Sequence, residues 1–372
     1  ATTDIYTLSL HDALPIFQYK DKIINASHTT PESYNLAEIF RDMADNNVND
    51  VVMEVSSHSL VQNRVFGIKF NYAVFTNLTH EHLDYHNTMF EYASAKKILF
   101  DMLEKDSIAL IFNNSEFSKF LAKDCKSDKI YYIGRDDDCD IKIKNEKFNT
   151  HFSEFEIEFR KNCKIYNETN LKFRTNLIGR FNIDNCSVAS SLCYFMNIPV
   201  EQIQQALLRT NGAPGRMQRI KLKNNAVGIV DYSHTPDALQ KALTTCRELI
   251  DMTDLHGKLI CVFGCGGDRD TKKRPEMGAI SVKYSDYVII TNDNPRTEVP
   301  SKIAKDILAG INSRVNSKIK IKLDRGEAIN EAYELSNSND IILVAGKGHE
   351  DYQIIGTEKM HFNDFEQLLK YQ

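Results

Sequence analysis

At 372 residues and 42% hydrophobic content, the chain is long enough to bury the cores of two domains. A net charge of -5 gives no electrostatic footing for nucleic acid or an anionic membrane surface, and no apolar run approaches the roughly 18 residues of a membrane span. The eight cysteines are scattered without C-x-x-C pairs, which points away from zinc ribbons and disulfide scaffolds and towards reduced thiols, and no signal peptide is recognised.

The opening stretch, ATTDIYTLSLHDALPI, does not fit the rest of the chain. TLSLHDALPI resembles a translated sequencing adapter, so residues 1–16 are expected to be non-native, with native sequence resuming near Phe17. Pro31 suits the first turn of a helix running to about Asp45, with Leu36, Ile39, Phe40 and Met43 as its buried stripe. Residues 51–55 and 73–78 are short apolar runs, each followed at once by polar side chains. Buried parallel strands whose C-terminal ends open onto a site have this pattern. Glu54 ends the first run. The second leads through Thr76 and Asn77 into His80, Glu81, His82, Asp84 and His86, more imidazole and carboxylate than a solvated loop needs. A hard cation such as Mg²⁺ takes oxygen ligands and tolerates one imidazole, and Glu54 with His82 at adjacent strand ends supplies both. A helix is expected from Thr88, with Met89, Tyr92, Ala93 and Lys96 on one face.

Residues 107–113 and 129–133 read as further buried strands. From 140 to 174 the pattern becomes alternation, seen in Phe152, Phe155, Ile157 and Phe159, which predicts an antiparallel, half-exposed sheet appended to a parallel core. Residues 178–185 form a glycine turn before an apolar helix over 186–196. Ala213-Pro214-Gly215-Arg216 has the turn formers of a domain boundary, dividing 17–213 from 214–372. Beyond it, apolar strands at 227–230, 259–263, 287–291, 319–323 and 341–344 alternate with helices, as in an α/β domain around a mostly parallel sheet. Their ends carry Asp231-Tyr232-Ser233-His234, a glycine loop at 264–270, Asp293-Asn294-Pro295-Arg296 and Gly346-Lys347-Gly348-His349-Glu350. Gly264, Gly266 and Gly267 miss the G-x-G-x-x-G register, which argues against a dinucleotide site.

EVSSH at 54–58, FTNL followed by HLDYH, the AKK of the next helix, DYSHTP, DNPR and GKGHEDYQ together resemble the Mur ligases. The resemblance covers essentially residues 23–372 and is strongest to the branch that adds the third residue of the UDP-MurNAc peptide. It implies a Mur ligase central domain, a parallel sheet with helices plus a small antiparallel sheet, followed by a Rossmann-like C-terminal α/β domain. It makes Glu54 and His82 Mg²⁺ ligands and Lys96 the lysine that the family carbamylates, which turns a cation into an anionic metal ligand. Thr29, Thr30, Ser56, Gln62 and Arg64 match positions that hold UDP-MurNAc-L-Ala-D-Glu. Asn185, Arg216 and Asp231 match positions that hold ATP. Arg269, Asp293, Asn294, Pro295, Arg296, Gly346 and Glu350 match the amino-acid pocket. A guanidinium pairs bidentately with a carboxylate and is left unpaired against an ammonium, so Arg296 with Arg269 point to meso-diaminopimelate rather than L-lysine.

Two departures from the family pattern occur: His80-Glu81-His82 replaces its usual Arg-Asp-His, and His28 stands where some members have asparagine. The resemblance implies a cytoplasmic, monomeric, ATP-dependent amide ligase working through an acyl phosphate. The alternatives are an L-lysine-adding relative and a folylpolyglutamate synthetase type, against which EVSSH, DNPR and GKGHEDYQ speak. A third alternative is a non-catalytic binding remnant. No G-x-x-x-x-G-K-[ST], the loop with which the family cradles ATP phosphates, occurs in the sequence. The polypeptide as written is therefore expected to bind diaminopimelate weakly at best and to turn over no ATP.

Overall fold

The computed structural model describes residues 5–8, 16–20, 22–25, 28–78, 83–160, 170–252, 257–312 and 317–372. They fall into two units, one made of residues 1–145, 155–173 and 184–203, the other of 146–154, 174–183 and 204–372. The chain begins with β1 (Ile5–Leu8), β2 (Ile16–Tyr19), β3 (Lys22–Asn25), α1 (Ser33–Asp45), β4 (Asp50–Met53), α2 (Ser57–Val61) and β5 (Tyr72–Phe75). It continues through α3 (Leu83–His86), α4 (Met89–Asp101), β6 (Ile108–Phe112), α5 (Ser118–Leu121), β7 (Lys129–Gly134), β8 (Ile141–Phe148), β9 (Ser153–Phe159), β10 (Asn170–Thr175), α6 (Arg180–Phe195) and α7 (Val200–Arg209).

Two sheets result, ordered β3-β2-β1-β4 and β10-β9-β8-β7-β6-β5. β4 runs parallel to β1, and β5 through β8 are joined in parallel pairs. Of the stretch expected to be non-native, residues 5–8 form β1, while residues 1–4 and 9–15 lie outside the described residues. The alternation read at 155, 157 and 159 appears as Phe155, Ile157 and Phe159, all buried from β9.

Local sequence explains the helix starts. Leu36 and Met43 of α1 are 1% exposed and pack with Phe17, Tyr19 and Leu60. The N-cap of α1 is Glu32, so Pro31 stands one residue before the cap rather than in the first turn. Thr88 caps α4, its hydroxyl accepting the Glu91 amide at 3.1 Å. α6 starts at Arg180, earlier than the apolar pattern predicts. Gly179, with φ of 91°, makes the left-handed turn, and Asn182 donates to the Ile178 carbonyl at 2.9 Å, so residues 180–185 are already helical.

One expectation of burial fails. Val51 and Val52 are 38% and 40% exposed. Burial of a parallel strand needs both faces covered, and Val51 and Val52 line an open cleft beside β4, which ends its sheet.

The second unit continues with β11 (Gln218–Lys221), β12 (Val227–Asp231), α8 (Pro236–Asp251), β13 (Leu259–Phe263), α9 (Lys273–Tyr284), β14 (Tyr287–Ile290) and α10 (Pro300–Leu308). It ends with β15 (Ile319–Ile321), α11 (Arg325–Leu335), β16 (Ile341–Ala345), β17 (Tyr352–Ile355), β18 (Glu358–His361) and α12 (Asp364–Leu369). Its sheet is ordered β11-β12-β16-β13-β14-β15, parallel except for β11. Every residue of β13 and β16 is buried, as their unbroken apolar runs require. Ile260, Val262, Ile289, Ile342 and Val344 meet Ala328 and Ile329 of α11 and Leu368 of α12 in one core. Cys261 is also buried there, and desolvation pushes its thiol up to about 12, which makes it inert packing rather than a nucleophile. Cys163 lies outside the described residues; the other seven cysteines are free thiols.

Candidate active site

In the first unit, a cleft of about 720 Å³ runs between β4 and β5. Glu54, Thr76, Asn77, Lys96 and Asn185 all line it, so strand ends and two helices bring Glu54 and Lys96 of the expected metal residues and Asn185 of the expected nucleotide residues to one cavity, while Arg216 and Asp231 belong to the second unit. Lys96 lies with Nζ 5.1 Å from the centre of the Tyr92 ring, one helical turn earlier. Tyr92 stacks on buried His86 at 5.1 Å, and His86 Nε2 lies 2.8 Å from Ser57 Oγ. This ladder fixes the helix face that carries Lys96. His82, with His80 and Glu81, lies outside the described residues.

The residues expected at the nucleotide-sugar substrate gather beside Glu54. Thr30 is buried, and its hydroxyl donates to the Glu54 carbonyl at 2.9 Å and accepts the Ser56 amide at 3.1 Å. Its side chain thus clamps the turn to the end of β4, and Thr29, half-buried, is the more accessible of the pair. Ser56 caps α2 through the Ser59 amide at 3.1 Å. Arg64 Nη1 donates to the Thr30 carbonyl at 3.0 Å and Nη2 pairs with Glu32 at 3.1 Å, while Gln62 is exposed at the end of α2.

In the second unit, the expected amino-acid residues converge at the C-terminal ends of β13, β14 and β16. Asn294 Nδ2 donates to Glu350 Oε2 at 2.9 Å, and Lys347 Nζ donates to the same oxygen at 2.8 Å and to Asn294 Oδ1 at 3.2 Å. Ile354 donates to Asn294 Oδ1 at 2.9 Å, and Gln353 Nε2 to the Asp293 carbonyl at 2.7 Å. The loops after β14 and β16 are thereby locked together. Arg296, with φ of 51°, donates from Nη1 to the Gly267 carbonyl at 2.8 Å. A Cβ on Gly266 would lie 3.1 Å from Arg296 Nη1 and 3.7 Å from Arg269 Cγ, so the two arginines flank one bare stretch of backbone. Arg269 is exposed there.

The same geometry explains the glycines that mimic a dinucleotide loop. A Cβ on Gly264 would meet the Thr291 carbonyl at 2.2 Å, and one on Gly267 the Pro295 carbonyl at 1.9 Å. They are glycines so that two loops can touch. Gly346, at φ of 115°, likewise leaves room for Asp293 Oδ2, which a Cβ would meet at 2.7 Å.

Asp231 ends β12 and accepts the Met217 amide at 2.9 Å and the Ser233 amide at 3.0 Å. Burial raises its carboxyl above the ordinary range, against the pull of these donors and of Arg216. Arg216 itself lies 5.7 Å from the centre of the Tyr232 ring.

Arg274, buried in α9, forks onto Glu298 at 2.7 and 2.9 Å, and Glu298 also accepts the Asp268 amide at 2.6 Å. The Arg274 hydrogen bonds hold the Glu298 carboxyl down to about 2. Its folded value lies below the ordinary unfolded value of about 4.3, so its stabilisation is complete above that pH and is lost as pH falls towards 2. Glu298→Gln should therefore be less stable than wild type at neutral pH, with the gap closing between about pH 4 and 2. Urea melts across that range read the difference, and a gap independent of pH would show the pair to be electrostatically idle.

Residues 3–193 match the model of the Mur ligase middle domain, and residues 215–348 that of the Mur ligase glutamate ligase domain. The chain belongs to the Mur ligase family. A UDP-N-acetylmuramoyl-L-alanyl-D-glutamate--2,6-diaminopimelate ligase of Clostridium botulinum is 42% identical over 356 residues, which are 94% of this chain and 70% of the relative. The Coxiella burnetii ligase of the same name is 40% identical, over 92% of this chain and 68% of its own. A solved Mur ligase structure carrying that name superposes with a TM-score of 0.71 at 30% identity, covering 99% of this chain and 72% of the other. A folylpolyglutamate synthase of Thermotoga maritima, at 17% identity and a TM-score of 0.62, shares the Mur ligase fold.

Sequence reasoning misses four buried ions of this Mur ligase chain. Lys347 is read only as a member of the GKGHE motif with no role of its own, and nothing in the motifs singles out Arg274, Arg325 or Asp364; all four have fully buried side chains. A signal exists for Arg325, since Asp324 and Glu327 bracket it as the start of a capped helix ahead of an apolar run.

Proposed function

We propose that the reaction this chain serves is the ATP-dependent addition of meso-diaminopimelate to UDP-MurNAc-L-Ala-D-Glu, which forms an amide in peptidoglycan precursor synthesis. The observation that carries this reading is the approach of the Arg296 guanidinium and the Arg269 side-chain stem to Gly266, beside the locked Asn294–Lys347–Glu350 cluster. Two arginines on one side suit the distal carboxylate of diaminopimelate, and they repel the ammonium at the end of L-lysine. Glu350, oriented by the two donors on Oε2, faces the amino end of the same zwitterion.

Chemically, the γ-carboxylate of the D-glutamate takes the γ-phosphoryl group of ATP, giving ADP and an acyl phosphate. The diaminopimelate amine then attacks the acyl carbon, phosphate leaves, and the amine gives up a proton. Glu54, Thr76 and Asn77 line one cleft with oxygen donors, which fits a hard cation. Lys96 joins that set as a ligand only once its amine carries CO₂ as a carbamate; as an ammonium it would repel the ion. When bound, Mg²⁺ offsets the repulsion between carboxylate and phosphate. Asn185 lines the same cleft, which supports a role in holding the nucleotide. The reading carries a monomeric protein working in the cytoplasm.

Isothermal titration of the purified chain with meso-diaminopimelate and with L-lysine tests it. The first should bind at least tenfold more tightly, a difference of about 1.4 kcal/mol. Preference for L-lysine would favour the other amine, and binding of neither would overturn the assignment of the second-unit loops.

A further inference from the structure

The geometry points to Arg325 as a positioning residue that sets the two loops of the amino-acid site in register. The inference rests on the reading of those loops as the diaminopimelate site. Arg325 opens α11 beneath the sheet ends and has no exposed side-chain surface, nor does its partner Asp364, which opens α12. Nε and Nη2 fork onto the two Asp364 oxygens at 2.7 and 2.8 Å. Nη1 donates to the Asn292 carbonyl and Nη2 to the Ala345 carbonyl, each at 3.0 Å.

Those two carbonyls are informative. Asn292 directly precedes Asp293-Asn294-Pro295-Arg296, and Ala345 directly precedes Gly346 and the run to Glu350. Asn292 follows β14 and Ala345 ends β16, strands that are not neighbours but lie on either side of β13. No ladder hydrogen bond can couple the two strand ends, and the guanidinium adds a backbone tie to the side-chain lock that Asn294, Lys347 and Glu350 already make between the loops. Arg325 touches none of the residues expected to meet substrate; it fixes the bases from which they project. Asp364 fixes the plane of the guanidinium in turn. Its own charge is sustained there: burial works against it, and the carboxylate of Asp364 together with those of Asp293 and Glu350 outweighs that and raises its pKa.

Lysine cannot do this. Arg325 makes its four bonds from three nitrogens spread across a rigid plane, whereas an ammonium offers three donors from one point. Arg325→Lys keeps the charge and loses the span. In the full chain, amide exchange should quicken at least tenfold at Arg296, Gly346 and Ile354, whose amides close the loops, and stay at wild-type rates at Ile260 and Val262 in β13. The Kd for meso-diaminopimelate should rise at least tenfold in parallel. If Arg325→Lys does not fold, Asp364→Asn, which leaves every Arg325 donor in place and weakens the fork, should give the same pattern at smaller amplitude.

Wild-type exchange at the loops, or uniform loosening of the whole second unit, would overturn the proposal, because both mean the pair only holds the unit together. A wild-type chain that binds no diaminopimelate would sink the ligand reading alone. The exchange pattern would still decide whether Arg325 registers the loops.

Discussion

Arg296→Lys is expected to raise the Kd for meso-diaminopimelate by about 30-fold or more and to leave L-lysine binding unchanged or improved. The magnitude follows from removing one partner of a desolvated, hydrogen-bonded charge pair, which costs about 2–5 kcal/mol. The direction follows from shape. Arg296 Nη1 is already spent on the Gly267 carbonyl at 2.8 Å, so the guanidinium plane is set before ligand arrives, and a carboxylate finds a fixed fork. Lysine restores the charge without the plane. Titration of both amino acids against both proteins measures the change in their ratio. An unaltered ratio would mean that Arg269 or another group reads the far end of the ligand.

The second large effect is expected at Lys96. A chain equilibrated with ¹³C-bicarbonate should show a carbamate carbon resonance that grows with pH, because CO₂ adds only to the neutral amine, and Lys96→Ala should abolish it. The same variant should bind Mn²⁺, used as a paramagnetic stand-in for Mg²⁺, at least tenfold more weakly. Loss of even an outer partner of a metal ligand costs about 10–100-fold. The cleft supports this expectation by bringing Lys96 together with Glu54, Thr76 and Asn77. A persistent resonance in Lys96→Ala would assign the carbamate elsewhere, and unchanged Mn²⁺ affinity would remove Lys96 from the metal site.

Much of this is legible in the sequence, for physical reasons. The strand at 259–263 is read at its observed bounds because a five-residue apolar run bounded by polar residues has one economical fate in an α/β domain. The start of α4 is legible because Thr88 carries its cap in the side chain. Other features are hidden because they depend on what lies opposite in space. The exposure of Val51 and Val52 follows from the open cleft beside β4, which no local pattern encodes. Thr30 reads as a ligand-binding hydroxyl until its two internal hydrogen bonds are seen. Gly264 and Gly267 miss the dinucleotide register in the sequence, and what they serve instead emerges only when the carbonyls of 291 and 295 are found against them. No motif singles out Arg325, and only the meeting of β14, β16 and α12 around it reveals what it joins.

The left-handed backbone of Arg296 bears on how this family member could drift. A non-glycine residue at φ of 51° carries a penalty of about 1–2 kcal/mol, which asparagine, with its short polar side chain, largely escapes. Arg296→Asn would forfeit the bond to Gly267, worth about 0.5–1.5 kcal/mol, and regain a comparable amount from the relaxed chain. Folding selection therefore barely sees the residue that reads the amino acid. Thermal-shift screening without ligand would let that replacement pass as neutral, and the choice of amine would vanish with no change in melting temperature to mark it.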